Sequence, residues 1–311
     1  MSSARIQGRD LGLSMTKVDQ WRGRWTCIGG GSAGLGFVLA RHLVRQGANV
    51  AIVGRDPIRL KEARENLKSI ASAAGTNGKI DAFSIDLSTS QDLSSSEASS
   101  YSIQEWTRWR EWLSDNRLDL AIAAAGMSDR GYLIQLTTAD LQSLWEANVL
   151  TAFNFSQLCR ESLARGNGSL VHIASLAGIV AAPGMGAYSL AKHALVALSR
   201  QLRLELAPDG IRVLLVCPGP IANLEHQGNL EHAGRYDNLV VKRQLPDELK
   251  KPAGGKKVRS VDAEWIAEKI LRAARDGSKE LVVPSKVKLL VALGSLFPSF
   301  SDFLLRSKKS S

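Results

Sequence analysis

The stretch IGGGSAGLG, residues 28–36, decides the fold of this chain. It follows a short apolar run that starts at Trp25, and a helical pattern continues from it. A glycine-rich turn between a strand and a helix lets the backbone approach a phosphate, and the helix N-terminus offers unpaired amides to that anion. Gly29, Gly31 and Gly34 meet the spacing G-x-G-x-x-G. The strand before this turn and the helix after it predict a dinucleotide-binding βαβ unit.

Short apolar, β-branched runs recur along the chain, and helical patterns separate them. The runs lie at residues 25–28, 50–53, 80–85, 118–123, 170–173, 211–216 and 281–283. Strands that alternate with amphipathic helices form βαβ units and a parallel sheet. We therefore predict an α/β fold with a single Rossmann-like, doubly wound parallel sheet of about seven strands and helices on both faces.

The same patterns divide the chain into regions. Residues 1–24 form an N-terminal extension, and residues 25–284 form the α/β domain. Residues 88–102 are serine-rich and lack periodicity, so we expect a loop or insertion there. Residues 223–260 are polar and rich in Gly and Lys, where we expect a substrate loop. Residues 285–311 form a basic amphipathic tail.

The composition fits one domain in a reduced compartment. Apolar residues make up 44% of the chain, which is enough for a sizeable core. Cys27, Cys159 and Cys217 are far apart and form no metal-type or redox-type pair, so we expect no metal site. No cleavable signal is recognisable before residue 25, and the best membrane-span candidate, 289–297, is too short. We expect a cytoplasmic protein.

The formal net charge of +10 would suit an anionic partner. Much of the excess lies in the N-terminal segment, in residues 250–259 and in the C-terminal tail. Charges on flanks and loops are usually solvated surface. Because the chain also has no recognisable nucleic-acid reader motif, we expect no nucleic-acid partner.

The second strand ends in VGRDP, residues 53–57. An NAD-binding site usually has an acidic side chain here for the ribose hydroxyl, whereas an arginine suits the 2′-phosphate of NADP. This chain has Gly54 in the acidic position and Arg55 after it. Asp56 followed by Pro57 is typical of a helix N-cap and first helical residue. We predict NADP(H) as the cofactor, with Arg55 on the phosphate.

Tyr188 and Lys192 are four residues apart and therefore lie on one face of a helix. An adjacent ammonium stabilises a phenolate and lowers the pKa of the tyrosine toward working pH. Tyr188 then becomes a general acid toward a carbonyl oxygen. Ser175 stands just beyond a predicted strand end, at the edge where open α/β sheets bind ligands.

From Trp25 to Val283 the chain resembles the short-chain dehydrogenase/reductase family. The Y-x-x-x-K pattern of that family is Tyr188 and Lys192, its serine is Ser175, and its helix asparagine is Asn148. The resemblance implies that Tyr188 donates the proton and Lys192 lowers the tyrosine pKa and holds the nicotinamide ribose. It also implies that Ser175 bonds the substrate oxygen and that Asn148 supports a water relay.

The resemblance also assigns contacts with the cofactor. The glycine pattern T-G-x-x-x-G-x-G of the family matches, with Gly29 in place of the threonine. The implied contacts are Gly30, Ser32, Gly34, Leu35, Gly36, Arg55, Asp86, Leu87, Ala125, Gly126, Tyr188, Lys192, Pro218, Gly219 and Ile221. Two departures bear on cofactor affinity: the expected N-N-A-G after the fourth strand reads A-A-A-G over 123–126, and Asn223 replaces a common threonine.

These residues predict an NADPH-dependent carbonyl reductase. The resemblance places Tyr132, Leu176, Ala177, Gly184, Met185 and residues 223–250 around the substrate. These positions are mostly apolar near the reacting centre, so we expect a small hydrophobic or lipid-like ketone. A catalytically idle NADP-binding sensor or scaffold stays open as the alternative, because A-A-A-G departs from the family pattern.

The resemblance implies a homodimer or homotetramer that pairs through helices near 138–165 and 187–207. The tail is loosely similar to the tails of 3-ketosphinganine reductase-like members. Its apolar clusters are flanked by Lys and Arg, so it either makes peripheral contact with a membrane or packs on the domain or on a partner subunit.

Overall fold

A seven-stranded parallel sheet forms the centre of the protein. The computed structural model describes residues 20–89, 100–181, 183–222, 260–297 and 299. The strands are β1 (Trp25–Gly29), β2 (Asn49–Gly54), β3 (Ile80–Ser84), β4 (Leu120–Ala123), β5 (Ser169–Ile173), β6 (Arg212–Pro218), β7 (Ile221–Ala222), β8 (Val261–Asp262) and β9 (Glu280–Val283). The large sheet has the order β3-β2-β1-β4-β5-β6-β9, and β7 pairs with β8 separately.

Helices cover both faces of this sheet. They are α1 (Gly34–Arg45), α2 (Pro57–Ala73), α3 (Ser100–Asp115), α4 (Thr138–Trp145), α5 (Thr151–Gly166), α6 (Gly186–Glu205), α7 (Ala263–Arg275) and α8 (Lys286–Leu296). The core on one face is formed with α1, α2 and α7, and the core on the other face with α3, α5 and α6. A π-helical turn, Glu146–Leu150, joins α4 to α5.

The predicted fold class is confirmed. Each of the seven predicted strands is present, and the observed bounds differ from the predicted ones by no more than two residues. The runs are mostly apolar because parallel strands with helices on both faces are buried on both sides. In β5, for example, all five residues are buried.

Some predicted regions overlap with regular structure, and others lie outside the described residues. Trp21, in the predicted N-terminal extension, is buried against the core of the first face. Helix α3 begins at Ser100, so the last residues of the serine-rich segment are helical. Residues 90–99, the predicted substrate loop from 223 to 259, and the tail from 301 onward lie outside the described residues. Asn223 is among them.

The topology fixes where a ligand can bind. Along the chain β1, β2 and β3 proceed to one edge of the sheet, and the chain then returns to β4 on the other side of β1. At such a reversal the loops after neighbouring strands diverge and leave a crevice at the carboxyl ends. The glycine turn after β1 and the loop after β4 therefore flank one crevice.

Candidate active site

The glycine turn after β1 is shaped by close backbone contact. Gly30 has a positive φ of 81°, and a Cβ on it would lie 2.6 Å from the backbone nitrogen of Ala125. A Cβ on Gly36 would overlap the carbonyl oxygen of Gly30. Side chains are excluded at both positions, which lets α1 begin directly under the turn.

The first turn of α1 suits a phosphate group. No side chain caps this helix at Ala33, and its first turn has no acidic residue. A Cβ on Gly34 would meet nothing within 4 Å, so the space beside it is open. Uncapped amides and the positive end of the helix dipole attract anions. Ser32 lies in the glycine turn just before α1, and Leu35, in the first turn of the helix, is buried in the core.

Packing explains why Gly29 replaces the family threonine. A Cβ on Gly29 would lie 3.1 Å from the ring of Phe155 and 3.3 Å from the side chain of Leu87. A threonine would force both large side chains to move. Leu87, a predicted cofactor contact, has its own side chain buried in the core, and its carbonyl accepts a hydrogen bond from Asn154 Nδ2 at 2.8 Å.

The end of β2 carries the residues that bear on cofactor choice. Gly54 is the last residue of the strand, and a Cβ on it would lie 3.5 Å from Ser32 Oγ. The guanidinium of Arg55 is 70% exposed and lies 4.0 Å from the carboxylate of Asp86. Asp86 also accepts hydrogen bonds from the amide and hydroxyl of Ser88. Arg55, Asp86 and Ser32 therefore surround the position where an NAD site has its acid.

The interpretation of Asp56 as a helix cap is confirmed. Its carboxylate accepts hydrogen bonds from the amides of Ile58 and Arg59, both at 3.0 Å, and Pro57 is the first residue of α2. This carboxylate is engaged by the helix, so it is not placed as a ribose ligand.

Lys192 is the buried charge of the site. It extends from α6, and its Nζ donates to the carbonyl of Ile173, at the end of β5, at 3.1 Å. Desolvation lowers the pKa of Lys192 to about 8, while the nearby Cys217 opposes this shift. Nζ lies 5.8 Å from the centre of the Tyr188 ring. The predicted pair is therefore together, with the ammonium on the inner side of the half-buried tyrosine.

The π-helical turn between α4 and α5 brings Asn148 to the same place. Asn148 is fully buried, and its Nδ2 donates to the carbonyls of Met127 and Leu144 at 2.8 and 2.9 Å. A Cβ on Gly126 would lie 2.7 Å from Asn148 Oδ1 and 3.3 Å from Lys192 Nζ. The asparagine, the lysine and the loop after β4 thus converge, and π-helical turns often occur at functional sites.

Ser175 follows β5 and begins a short 3₁₀ turn, Leu176–Gly178. Its Oγ accepts a hydrogen bond from the amide of Ala177 at 3.1 Å, so its own proton remains to be donated. On the substrate side, the amide of Gly131 donates to the carbonyl of Gly184 at 3.0 Å. A β-bridge also joins Gly131 to Met185, so Tyr132 follows a segment that pairs with residues 184–185. That these residues and the 3₁₀ turn line a substrate pocket stays a prediction.

The turn after β6 completes the crevice. The amide of Gly219 donates to the carbonyl of Val283 at 2.8 Å, which holds the Pro218–Gly219 turn on the last strand. Ile221 follows in β7. In the described part of the chain no cluster of three His, Cys, Asp or Glu residues is arranged to hold a metal ion.

Sequence reasoning missed two buried groups under the site. His172 lies on β5 and Ser156 on α5, and His172 Nε2 is 2.9 Å from Ser156 Oγ. The available signal was a histidine within a strand otherwise made of apolar residues and one serine. It was not decisive, because a lone histidine in a strand is more often a satisfied core residue than a functional one.

The nicotinamide dinucleotide expected from the sequence fits these residues. The glycine turn presents amides without a competing side chain, and the strand order gives it a crevice. Asn148 Oδ1 is a buried acceptor without a partner in the described structure, close to a buried ammonium. Such groups are retained where a ligand or water satisfies them.

A family model described as short chain dehydrogenase matches residues 24–233. This match covers more than half of the chain, and the strand order agrees with it. The chain belongs to the short-chain dehydrogenase family, whose members are oxidoreductases that use a nicotinamide cofactor.

Relatives within the family include reductases of ketones. The ketoacyl reductase HetN of Nostoc sp. (strain PCC 7120) is 27% identical over 291 residues, which covers 91% of this chain and 88% of that protein. The 3-ketodihydrosphingosine reductase TSC10 of Cryptococcus neoformans is 32% identical over 199 residues, which covers 63% of this chain but only 56% of that protein. A solved short chain dehydrogenase from Burkholderia cenocepacia, in complex with NADP, shares the fold with a TM-score of 0.65 at 19% identity, covering 92% of this chain and 99% of that chain.

Proposed function

We propose that this protein is an NADPH-dependent carbonyl reductase that acts on a hydrophobic, lipid-like ketone. The observation that carries the proposal is the convergence of a buried ammonium with a tyrosine and an asparagine at the carboxyl end of the sheet. The bound cofactor supplies the hydride that moves to the carbonyl carbon. The residues of the chain bind and orient the reactants and handle the proton.

In this proposal Tyr188 is the proton donor. Because the pKa of Lys192 is about 8, the side chain is mostly an ammonium at pH 7. A positive charge beside a phenol favours the phenolate, so it eases release of the proton to the carbonyl oxygen. Ser175 holds the same oxygen through its remaining proton. The ammonium is lost as the pH rises through about 8, so we expect reduction to slow above that pH.

The preference for NADPH rests on the end of β2. Gly54 offers no acceptor for the ribose hydroxyls, and Arg55 presents an exposed guanidinium at the same place. A guanidinium can form charge-assisted hydrogen bonds with a phosphate. A preference for NADPH also favours the direction of reduction.

The substrate class follows from the apolar wall and from the relatives. Ala177 and Met185 are buried, and Leu176 and Tyr132 are partly buried. Both curated relatives described above carry a ketone substrate in their names. We therefore propose that the substrate is a ketone carried on an aliphatic chain, and not a sugar or another polar carbonyl compound.

Replacing Tyr188 with phenylalanine tests the mechanism. Wild-type protein should oxidise NADPH with at least one ketone of a panel of increasing chain length, followed by absorbance. Tyr188→Phe should lose at least ~100-fold of this turnover, because a general acid contributes on the order of 10²–10⁴. Binding of NADPH, followed by its fluorescence, should stay within a few-fold. Unchanged turnover in this variant would refute the role of Tyr188.

The alternative of an idle sensor or scaffold makes the opposite prediction. Such a protein binds NADPH but oxidises it with no carbonyl in the panel, and Tyr188→Phe changes nothing measurable. The convergence of Asn148 and Lys192 with Tyr188 favours the enzyme, because cofactor binding alone does not require an ammonium beside a phenol, whereas proton transfer benefits from it.

A further inference from the structure

A buried histidine lies on the same side of the sheet as Lys192. His172 is fully buried on β5, and its neighbours on that face, Leu170 and Ala174, belong to the core that α5 and α6 cover. Lys192 enters this face from α6 and reaches the carbonyl of Ile173, the residue after the histidine. Side chains of a strand alternate between faces, so the imidazole and the lysine chain share one layer.

Hydrogen bonds on α5 fix which ring nitrogen of His172 carries the proton. Ser156 Oγ lies 2.6 Å from the carbonyl of Ala152, and this bond uses the single proton of the hydroxyl. Toward His172 Nε2, 2.9 Å away, Ser156 must therefore accept. Nε2 carries the proton, and in the neutral ring Nδ1 is a bare acceptor. Nδ1 is buried and has no hydrogen-bond partner in the described structure.

Two buried acceptors lie in the neighbourhood of Lys192: the first is His172 Nδ1, whose residue precedes the Ile173 carbonyl that Nζ contacts and feels the charge of Lys192. Asn148 Oδ1 is the second acceptor without a partner, and it lies within about 6 Å of Lys192 Nζ because both atoms approach Gly126. The ammonium has three protons, and the bond to Ile173 uses one of them. A single water molecule needs about three polar partners in a protein interior. It would donate to the two acceptors and accept from the ammonium.

We propose that His172 is a positioning residue for Lys192, whose bare Nδ1 accepts a hydrogen bond from an internal water held by the Lys192 ammonium and Asn148. Ser156 selects the tautomer that makes this possible. The water stabilises the ammonium and limits where Nζ can move, so that it stays beside Tyr188. The inference rests on the proposed function for its catalytic consequence, although the hydrogen bond itself does not.

Among the neighbouring groups with shifted pKa values, only Lys192 has a pKa near working pH, at about 8. Burial lowers the pKa of His172 to about 4, and the charge of Lys192 adds to this shift. On β6, burial raises the pKa of the Cys217 thiol to about 12. On α5, burial raises the pKa of Cys159. Ser156 on α5 and Asn148 in the π-helical turn do not titrate. The imidazole therefore stays neutral while Lys192 titrates.

Nitrogen-15 NMR of histidine in the full-length protein tests the hydrogen bond without any assay of turnover. The chain has five histidines, and the His172 signals are those missing from His172→Asn. We expect a protonated Nε2 and an unprotonated Nδ1 whose signal shifts as Lys192 titrates near pH 8. In Lys192→Met that shift should vanish. A protonated Nδ1, or the same pH response in both proteins, would overturn the proposal.

A pair of substitutions tests the positioning role in the enzyme. Glutamine reaches Ser156 but has no acceptor at the Nδ1 position, whereas asparagine has that acceptor and does not reach Ser156. We expect His172→Gln to move the alkaline limb of kcat to lower pH by about half a unit, roughly a two-fold loss at pH 8 that approaches three-fold well above it. His172→Asn should keep the wild-type limb, and both should keep the KM for NADPH.

A purely structural role predicts the reverse order, with His172→Asn damaged and His172→Gln intact, and that result would overturn the proposal. Thermal unfolding of both variants reports any loss of folding separately. If wild-type protein reduces no carbonyl but the NMR response appears and vanishes in Lys192→Met, the hydrogen bond stands and the proposed function fails.

Discussion

At the scale of single residues, the site depends on a charge that the fold does not readily tolerate. A buried ammonium with one carbonyl partner loses hydration that a single hydrogen bond does not replace. The lowered pKa of Lys192 reflects that loss. The same burial strengthens the influence of the charge on Tyr188, because charges interact more strongly in a low-dielectric interior than in water.

Arg55 is the residue on which cofactor preference should depend. In the proposed complex with NADPH, Arg55→Ala removes a charge-assisted contact with the 2′-phosphate, and such contacts are typically worth about 1.5–3 kcal/mol. We expect the Kd for NADPH to rise by roughly 10- to 100-fold and the Kd for NADH to stay within two-fold. Fluorescence titration with both nucleotides measures this.

Arg59, on the first turn of α2, provides the matched control. It is also partly exposed but already lies 3.8 Å from Asp56. Arg59→Ala should change the affinity for NADPH much less than Arg55→Ala. Equal losses for NADPH and NADH in Arg55→Ala would show that Arg55 supports the fold of the site and does not contact the phosphate.

At the scale of the elements, the N-terminus of helix α2 gives Asp56 a structural role, which is distinct from contact with the cofactor. Asp56→Ala removes the acceptor for two amides at the N-terminus of α2. We expect a loss of about 1 kcal/mol in the free energy of unfolding and no change in the NADPH to NADH preference. Urea unfolding and the same nucleotide titrations measure the two effects.

The control for Asp56 is an aspartate at the C-terminus of a helix. Asp115 is the exposed last residue of α3, where the helix dipole does not favour a carboxylate. Asp115→Ala should leave stability unchanged or slightly raised. A shift of preference toward NADPH in Asp56→Ala would mean that Asp56 does contact the ribose.

At the scale of the whole molecule, α5 and α6 present apolar side chains to the outside. Phe153, Leu190 and Leu204 are 37%, 39% and 69% exposed. The family resemblance implies pairing through these two helices, and contiguous exposed apolar patches mark interaction surfaces. We propose that the protein assembles as a homodimer or homotetramer through these helices.

A charge placed on α6 tests this assembly. Leu204→Glu should lower the mass in sedimentation equilibrium toward the 33.6 kDa monomer, because a carboxylate in an apolar interface loses hydration. Ile134→Glu, at a position 94% exposed outside these helices, should leave the mass unchanged. An unchanged mass in Leu204→Glu would place the interface elsewhere.

The C-terminal tail is the second surface at this scale. In α8, Leu289, Leu293 and Leu296 are exposed, and Lys286 and Lys288 stand at its start. No helix in the described ranges is long and apolar enough to cross a membrane. An exposed apolar face beside cations can instead lie at an anionic lipid surface.

Flotation with vesicles tests the tail. We expect wild-type protein to bind vesicles that contain phosphatidylserine and to bind phosphatidylcholine vesicles much less. A chain ending at residue 285 should lose this binding and keep NADPH binding. Equal binding by the shortened chain would assign the membrane contact to another surface. If wild-type protein does not bind vesicles, α8 packs on the domain or on a partner subunit instead.

The sequence by itself determined the fold and named the candidate residues. The strand runs are mostly apolar because both faces of a parallel sheet are buried. Glycine is required at positions 30 and 36 because a side chain there would overlap neighbouring backbone atoms. Both constraints act on residues close together in the chain, so they are visible as local patterns. The cap at Asp56 is local in the same way.

Only the tertiary structure decided what surrounds Lys192. Its burial, the unpartnered Asn148 Oδ1 and the His172–Ser156 bond join α6, the π-helical turn, β5 and α5, which are far apart in sequence. The crowding by Phe155 that excludes a threonine at position 29 is equally non-local. Desolvation and packing depend on which elements are in contact in the folded protein, and local residue patterns do not specify those contacts.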